Sequence, residues 1–130
     1  MSEVAQNIRR IRERAAAAAA SCGRSAGEIE LLAISKTFPA ESILHAAQAG
    51  LHRFGENRVQ EAEDKILRLR PTMKLEWHLV GHLQSNKAKR AVELFDMIHS
   101  LDSVKLASRI SQAALEMNKT QSVLLQVDLG

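Results

Sequence analysis

Polar side chains recur at the ends of five short apolar runs, and their types suggest chemistry. Lys36 closes Leu31-Leu32-Ala33-Ile34-Ser35, and period-two alternation sets it on the face of Leu32 and Ile34. If the sheet curls, that face is interior and the lysine is expected to be partly desolvated. Burial disfavours the ammonium form and lowers its pKa from ~10.4, leaving neutral amine to attack a carbonyl and form a Schiff base. A lysine that snorkels from a strand end into solvent is the competing reading, and the residues leave both open. Glu56 and Asn57 end the second run, His78 to His82 the third, Ser100 and Asp102 the fourth, Gln126 and Asp128 the fifth. In parallel α/β architectures these positions share one rim, where functional side chains gather.

Other constellations carry less. His78 and His82 have the i, i+4 spacing of a zinc pair, but that spacing puts two ligands on one face only in a helix, and Trp77-His78-Leu79-Val80-Gly81 reads as a strand. Cys22 lies in a distant segment, so no metal site is expected. Glu56 with Glu61 or Glu63 has the makings of an acid/base pair, although carboxylates on a solvated helix face are the simpler account. Gln84-Ser85-Asn86-Lys87-Ala88-Lys89-Arg90 joins an expected helix N-terminus to three cations without an acid; phosphate holding and a plain solvated face fit it equally. With no tyrosine, one tryptophan and three phenylalanines, the chain has few platforms for stacking bases, and nucleic acid is not an expected partner.

The elements that must position these residues repeat with a regular period. The runs begin near Leu31, His52, Leu75, Met97 and Ser122, separated by 21, 23, 22 and 25 residues. That is the length of a strand, a helix and two short loops, so a parallel sheet of βα units is expected. Helical patterns lie between: one of about ten residues from Pro39 to Gly50, one with Val59, Ala62, Ile66 and Leu69 inward and closed by Pro71, and two capped by Ser85 and Ser103. In the last of these Val104, Ala107, Ile110 and Ala114 are expected to face inward. Five parallel strands with four crossover helices suit an open doubly wound sheet or part of a (β/α)8 TIM barrel. The turn after the first strand, Lys36-Thr37-Phe38-Pro39, lacks G-x-G-x-x-G, which argues against a dinucleotide fold. Eight units of ~23 residues need more than ~200 residues, so a barrel here is partial, ending after its fifth strand.

Residues 1–27 read as an N-terminal helix and linker, and residues 28–130 as the βα units, in one domain spanning 1–130. Val4, Ile8, Ile11 and Ala15 recur at helical spacing among arginines and glutamates, and Cys22-Gly23 ends that helix. Arg9, Arg10, Arg12 and Arg14 before the alanines imitate a signal or lipoprotein cleavage site, but six alanines make a poor h-region. The longest apolar stretch, Ala15 to Ala20, falls far short of the ~20 residues of a membrane span. One cysteine permits no intrachain disulfide, and a reducing, cytoplasmic setting is expected. The net charge of +3 is mild and spread along the 130 residues.

The segments Leu32-Ala33-Ile34-Ser35-Lys36, Phe54-Gly55-Glu56-Asn57-Arg58-Val59-Gln60-Glu61, Trp77 to Lys87 and Ile98-His99-Ser100-Leu101-Asp102 together resemble the successive motifs of the YggS/PROSC family of pyridoxal phosphate homeostasis proteins. The resemblance covers almost the whole chain. It implies a barrel like the N-terminal domain of alanine racemase, with pyridoxal 5′-phosphate (PLP) held as an internal aldimine. Lys36 matches the Schiff-base lysine and Asn57 a residue close to the cofactor ring; His78 and Ser100, on the same rim, complete the expected binding set. The resemblance further implies PLP buffering and delivery, with PLP-dependent apoenzymes as partners and no robust catalysis, because a second domain with an opposing acid/base is lacking. A PLP-dependent racemase or lyase of the same barrel type is the alternative, with His78 and His82 as its acid/base candidates. Family members continue for about three more βα units, which carry the phosphate-binding segments and an arginine near the pyridine nitrogen. Full-length members are expected to be monomers. An isolated 1–130 chain is expected to attach PLP covalently but weakly, and to dimerise, aggregate or stay partly molten through its exposed sheet edges.

Overall fold

The computed structural model describes residues 2–130. Five parallel strands, β1 (Ala33–Ile34), β2 (Arg53–Glu56), β3 (Glu76–Leu79), β4 (Met97–Leu101) and β5 (Ser122–Leu125), lie side by side in chain order. A doubly wound sheet would reverse that order at a switch point; sequential order is what a barrel wall requires. The helices α1 (Glu3–Ser21), α2 (Ala40–Gln48), α3 (Val59–Leu69), α4 (Ala88–Leu94) and α5 (Val104–Glu116) send residues into one apolar cluster with Phe54, Trp77, Leu79 and Ile98 of the strands. They therefore cover one face of the sheet. Among the described residues no helix is long and apolar enough to cross a membrane.

Local chemistry explains the element ends. α1 is capped by Ser2, whose hydroxyl accepts from the Ala5 N–H at 3.1 Å, and it stops at Cys22 before Gly23 turns left-handed at φ +75°. The expected face of α3 is the observed one: Val59, Ala62, Ile66 and Leu69 are all buried. Ser103 caps α5 by accepting from the Leu106 N–H at 3.1 Å.

Several expectations are corrected. β1 retains two paired residues of the run 31–36, because β2 is its one strand neighbour and the chain leaves the ladder after Ser35, whose N–H still donates to Gly55 O at 2.8 Å. In α5 the inward face starts at Leu106, with Ile110, Ala113 and Ala114, while Val104 is 87% exposed. Val104 is the first residue after the cap and overhangs the core. Ser85 caps nothing; it opens a 3-10 turn, Ser85–Lys87, that precedes α4. In α1 only Ile8 and Ala19 are buried, and Val4 and Ile11 are exposed, because the helix touches the body along a narrow strip where Arg12 donates to Gly50 O at 2.8 Å.

Candidate functional site

Strand alternation divides the side chains of the sheet between two faces. Phe54 and Glu56 of β2 turn toward the helices and are fully buried, whereas Gly55 turns the other way. A Cβ on Gly55 would meet Ile34 Cδ1 at 2.7 Å, Val80 Cγ1 at 3.4 Å and Leu32 Cγ at 3.5 Å, so those three side chains share the face away from the helices. The described residues do not cover it, and Ile34 is 48% exposed.

Lys36 follows Ser35 out of β1 at the carboxyl end of the sheet and is exposed. The expected partial desolvation is thus corrected: its side chain stands in solvent because the face it was assigned to is uncovered. The backbone around it is held firmly. Ser35 is buried; its hydroxyl donates to Glu56 Oε2, and its carbonyl accepts from Lys65 Nζ at 2.9 Å. Lys65 Nζ also donates to Glu56 Oε1 at 2.8 Å and to Glu61 Oε1 at 3.2 Å. Glu61 Oε1 accepts in turn from the Thr37 N–H at 2.6 Å. Thr37 sits at φ +68°, a left-handed conformation costing a non-glycine residue about 1–2 kcal/mol, which the Glu61 bond helps offset. Glu61 is held below its ordinary carboxylate pKa, first by the Thr37 N–H and then by Lys65.

Glu56 is therefore neither half of an acid/base pair nor a solvated carboxylate, the two readings its sequence suggested. It is the fully buried partner of Lys65, reached from α3. The buried lysine could have been suspected from the pattern: Lys65 falls between Ala62 and Ile66 on the apolar stripe of α3, four residues after Glu61. Glu63 lies apart, paired with Arg90, which also binds Glu93, so this cation of the basic segment 84–90 is already engaged.

Asn57, just beyond β2, is half-buried and rests on Gly81, just beyond β3. A Cβ on Gly81 would lie 2.9 Å from Asn57 Cγ and closer still to both Asn57 oxygens. The missing side chain is what allows the asparagine to sit there. His78 is buried; its Nδ1 lies 2.8 Å from His99 Nε2 and its Nε2 lies 3.2 Å from Glu76 Oε2. Arg53 Nε pairs with that same carboxylate oxygen at 2.5 Å. His99 was not singled out in the sequence; its position one residue before Ser100 in β4, beside His78 of β3, was the available signal. Desolvation first, and then the neighbouring His78, lower its pKa. His82 is exposed and lies 3.6 Å from Asp102, away from that pair. Ser100 is 1% exposed, and its Oγ has no hydrogen-bond partner among the described residues. A buried hydroxyl without a partner is costly; Ser100 alternates with Ile98 as the buried positions of β4, on the side that packs toward the helices.

The strand ends thus offer an exposed amine on a fixed turn and an asparagine seated on glycine. These fit a carbonyl-bearing aromatic cofactor that needs an amine for attachment and polar contacts around its ring. The histidine pair adds a hydrogen-bonded contact between β3 and β4, with His78 itself buried.

Comparison with known proteins agrees with this architecture. Residues 1–130 match the family described as the alanine racemase N-terminal domain. The pyridoxal phosphate homeostasis protein of Escherichia coli K12 is 42% identical over 132 residues, covering 100% of this chain and 56% of that protein. The protein of the same name from Vibrio cholerae is 44% identical, covering 98% of this chain and 56% of its own length. The chain spans little more than half the length of these curated relatives. Among solved structures, PipY of Synechococcus elongatus PCC7942 with PLP bound superposes with a TM-score of 0.84 at 40% identity, covering 98% of this chain and 56% of PipY.

Proposed function

Because the chain belongs to the alanine racemase N-terminal domain family, we propose that it binds PLP and serves PLP homeostasis, with Lys36 as the point of covalent attachment through a Schiff base. The observation that carries this reading is the Lys36 amine, exposed at the carboxyl end of β1 on a turn whose flanking residues are both anchored. Its support from relatives is PipY, solved with PLP bound at 40% identity. When bound, PLP supplies an aldehyde that condenses reversibly with amines and a ring that withdraws electrons.

Each residue then has a task. Lys36 holds the cofactor, Asn57 borders its ring, and Ser100 supports the end of β4 from beneath. His78, hydrogen-bonded to His99 through one ring nitrogen and to Glu76 through the other, has its ring fixed beside the bound group. The reading is of a carrier rather than a racemase or lyase: PLP-dependent apoenzymes are the recipients and the cytoplasm is the setting, in keeping with the single free, exposed Cys22. Residues 1–130 form part of one barrel domain, its first five strands, and this chain self-associates through its sheet edges.

Visible absorbance of the purified chain with PLP tests the attachment. A band above that of free PLP is expected, and Lys36→Ala should abolish it; an unchanged band in the variant would overturn the assignment. Amino-acid α-proton exchange in deuterated buffer, expected at the level of free PLP, separates a carrier from an enzyme.

A further inference from the structure

We propose that the buried Glu56–Lys65 ion pair, extended through Ser35, Glu61 and Thr37, is a positioning device for the Lys36 amine. The inference rests on the reading of Lys36 as the attachment point.

The network has a direction that packing does not explain. An ion pair enclosed among apolar residues gains little over a well-packed apolar pair of similar volume, so its presence calls for another reason. Here each terminus of the network falls on a residue adjoining Lys36. Lys65 spends its three donors on Ser35 O, Glu56 Oε1 and Glu61 Oε1, which completes its capacity. Both Glu56 oxygens are engaged, one by Lys65 and the other by the Ser35 hydroxyl. Glu61 then reaches past Lys36 to take the Thr37 N–H. The residue before Lys36 and the residue after it are thus both tied to α3, and Lys36 itself enters none of the bonds.

A short turn at a strand end would otherwise be among the mobile parts of the sheet, particularly after a strand with two paired residues. Fixing the flanking peptide groups fixes the Cα from which the lysine extends, narrowing the volume its amine explores. An amine restricted in this way meets a bound carbonyl more often than a free surface lysine does. Glu56, Lys65 and Glu61 are therefore positioning residues; none needs to touch the cofactor.

Glu61 provides the discriminating variants because it is partly exposed and its loss leaves the Glu56–Lys65 pair in place. Two measurements are made on the full chain: hydrogen exchange at the Thr37 amide, and the share of PLP trapped on Lys36 by borohydride relative to the other lysines. In Glu61→Ala, Thr37 exchange is expected to accelerate by about tenfold or more, matching loss of a hydrogen bond to a charged acceptor. The Lys36 share should fall toward that of a surface lysine while the chain keeps a cooperative thermal transition, its midpoint lowered by several degrees. Glu61→Gln keeps an acceptor oxygen for Thr37 and should restore most of both.

If exchange accelerates but Lys36 keeps its full share, the network is structural only and the proposal is overturned. Unchanged exchange overturns it as well. Even labelling of all lysines in the unsubstituted chain removes the attachment reading, and the positioning role with it; that failure shows before any substitution is made. Glu56→Leu combined with Lys65→Met, which removes the pair without stranding a charge, should reproduce the loss of selectivity in a folded chain.

Discussion

Gly81 and Asn57 show how closely two strand ends approach. A methyl on Gly81 would press into the Asn57 backbone carbonyl, which cannot swing aside, and into the end of the Asn57 side chain. Gly81→Ala is expected to destabilise the chain by about 1–3 kcal/mol, the usual cost of overpacking, read as a lower urea midpoint at unchanged slope. It should also weaken PLP retention by shifting Asn57. His99 makes a second residue-scale prediction. Its folded pKa lies below the ordinary 6.5, so as pH falls through that value the unfolded chain takes up the proton first. Stability should therefore be level above about pH 6.5, fall as the solution is acidified toward the folded pKa, and level off again for this group. Thermal melts between pH 7.5 and 5 test this, and His99→Gln should flatten the decline. Glu61 acts in a lower window: its depressed pKa gives stability that is present above its ordinary 4.5 and lost as pH falls through the folded value.

At the scale of elements, α3 both covers the sheet and anchors the end of β1. Lys65→Met leaves Glu56 buried without its cation, and a loss of about 3–5 kcal/mol is expected. Adding Glu56→Leu should recover much of it, because two apolar residues can replace the pair; equilibrium unfolding of the single and paired variants measures both. Helix caps provide a contrast of their own. Ser103→Ala removes an observed cap and should cost about 1 kcal/mol, whereas Ser85→Ala removes none and should stay within about 0.5 kcal/mol of the unsubstituted chain. The same unfolding titration distinguishes the two serines. A stretch of sequence resembling a cap is sufficient to suggest one, but the chain must also enter the helix at the right angle, and the 3-10 turn at Ser85 does not.

For the whole molecule, the uncovered sheet face and the flanks of β1 and β5 leave Ile34, Phe38, Leu124, Leu125, Val127 and Leu129 exposed. Apolar residues beside unpaired strand edges favour association with another chain. Sedimentation at micromolar concentration is expected to give species heavier than the 14.4 kDa monomer, and Leu125→Lys with Leu129→Lys should move the distribution toward the monomer. A compact, cooperatively melting monomer in the unsubstituted chain would count against self-association.

The order of the elements, the parallel sheet, the inward stripe of α3 and the Ser103 cap were legible in the 130 residues, because each depends on a short-range period or a turn residue. The chain also showed where Lys36, Asn57, His78 and Ser100 stand along their strands. Tertiary structure decided the rest: that Lys36 is exposed, that Glu56 is buried with Lys65, that His78 meets His99, and that Asn57 sits on Gly81. Alternation assigns a side chain to one of two faces but does not say what covers that face. Coverage depends on residues distant in sequence, and that is why a carboxylate read as a surface group lies in the interior and an amine read as interior stands in water.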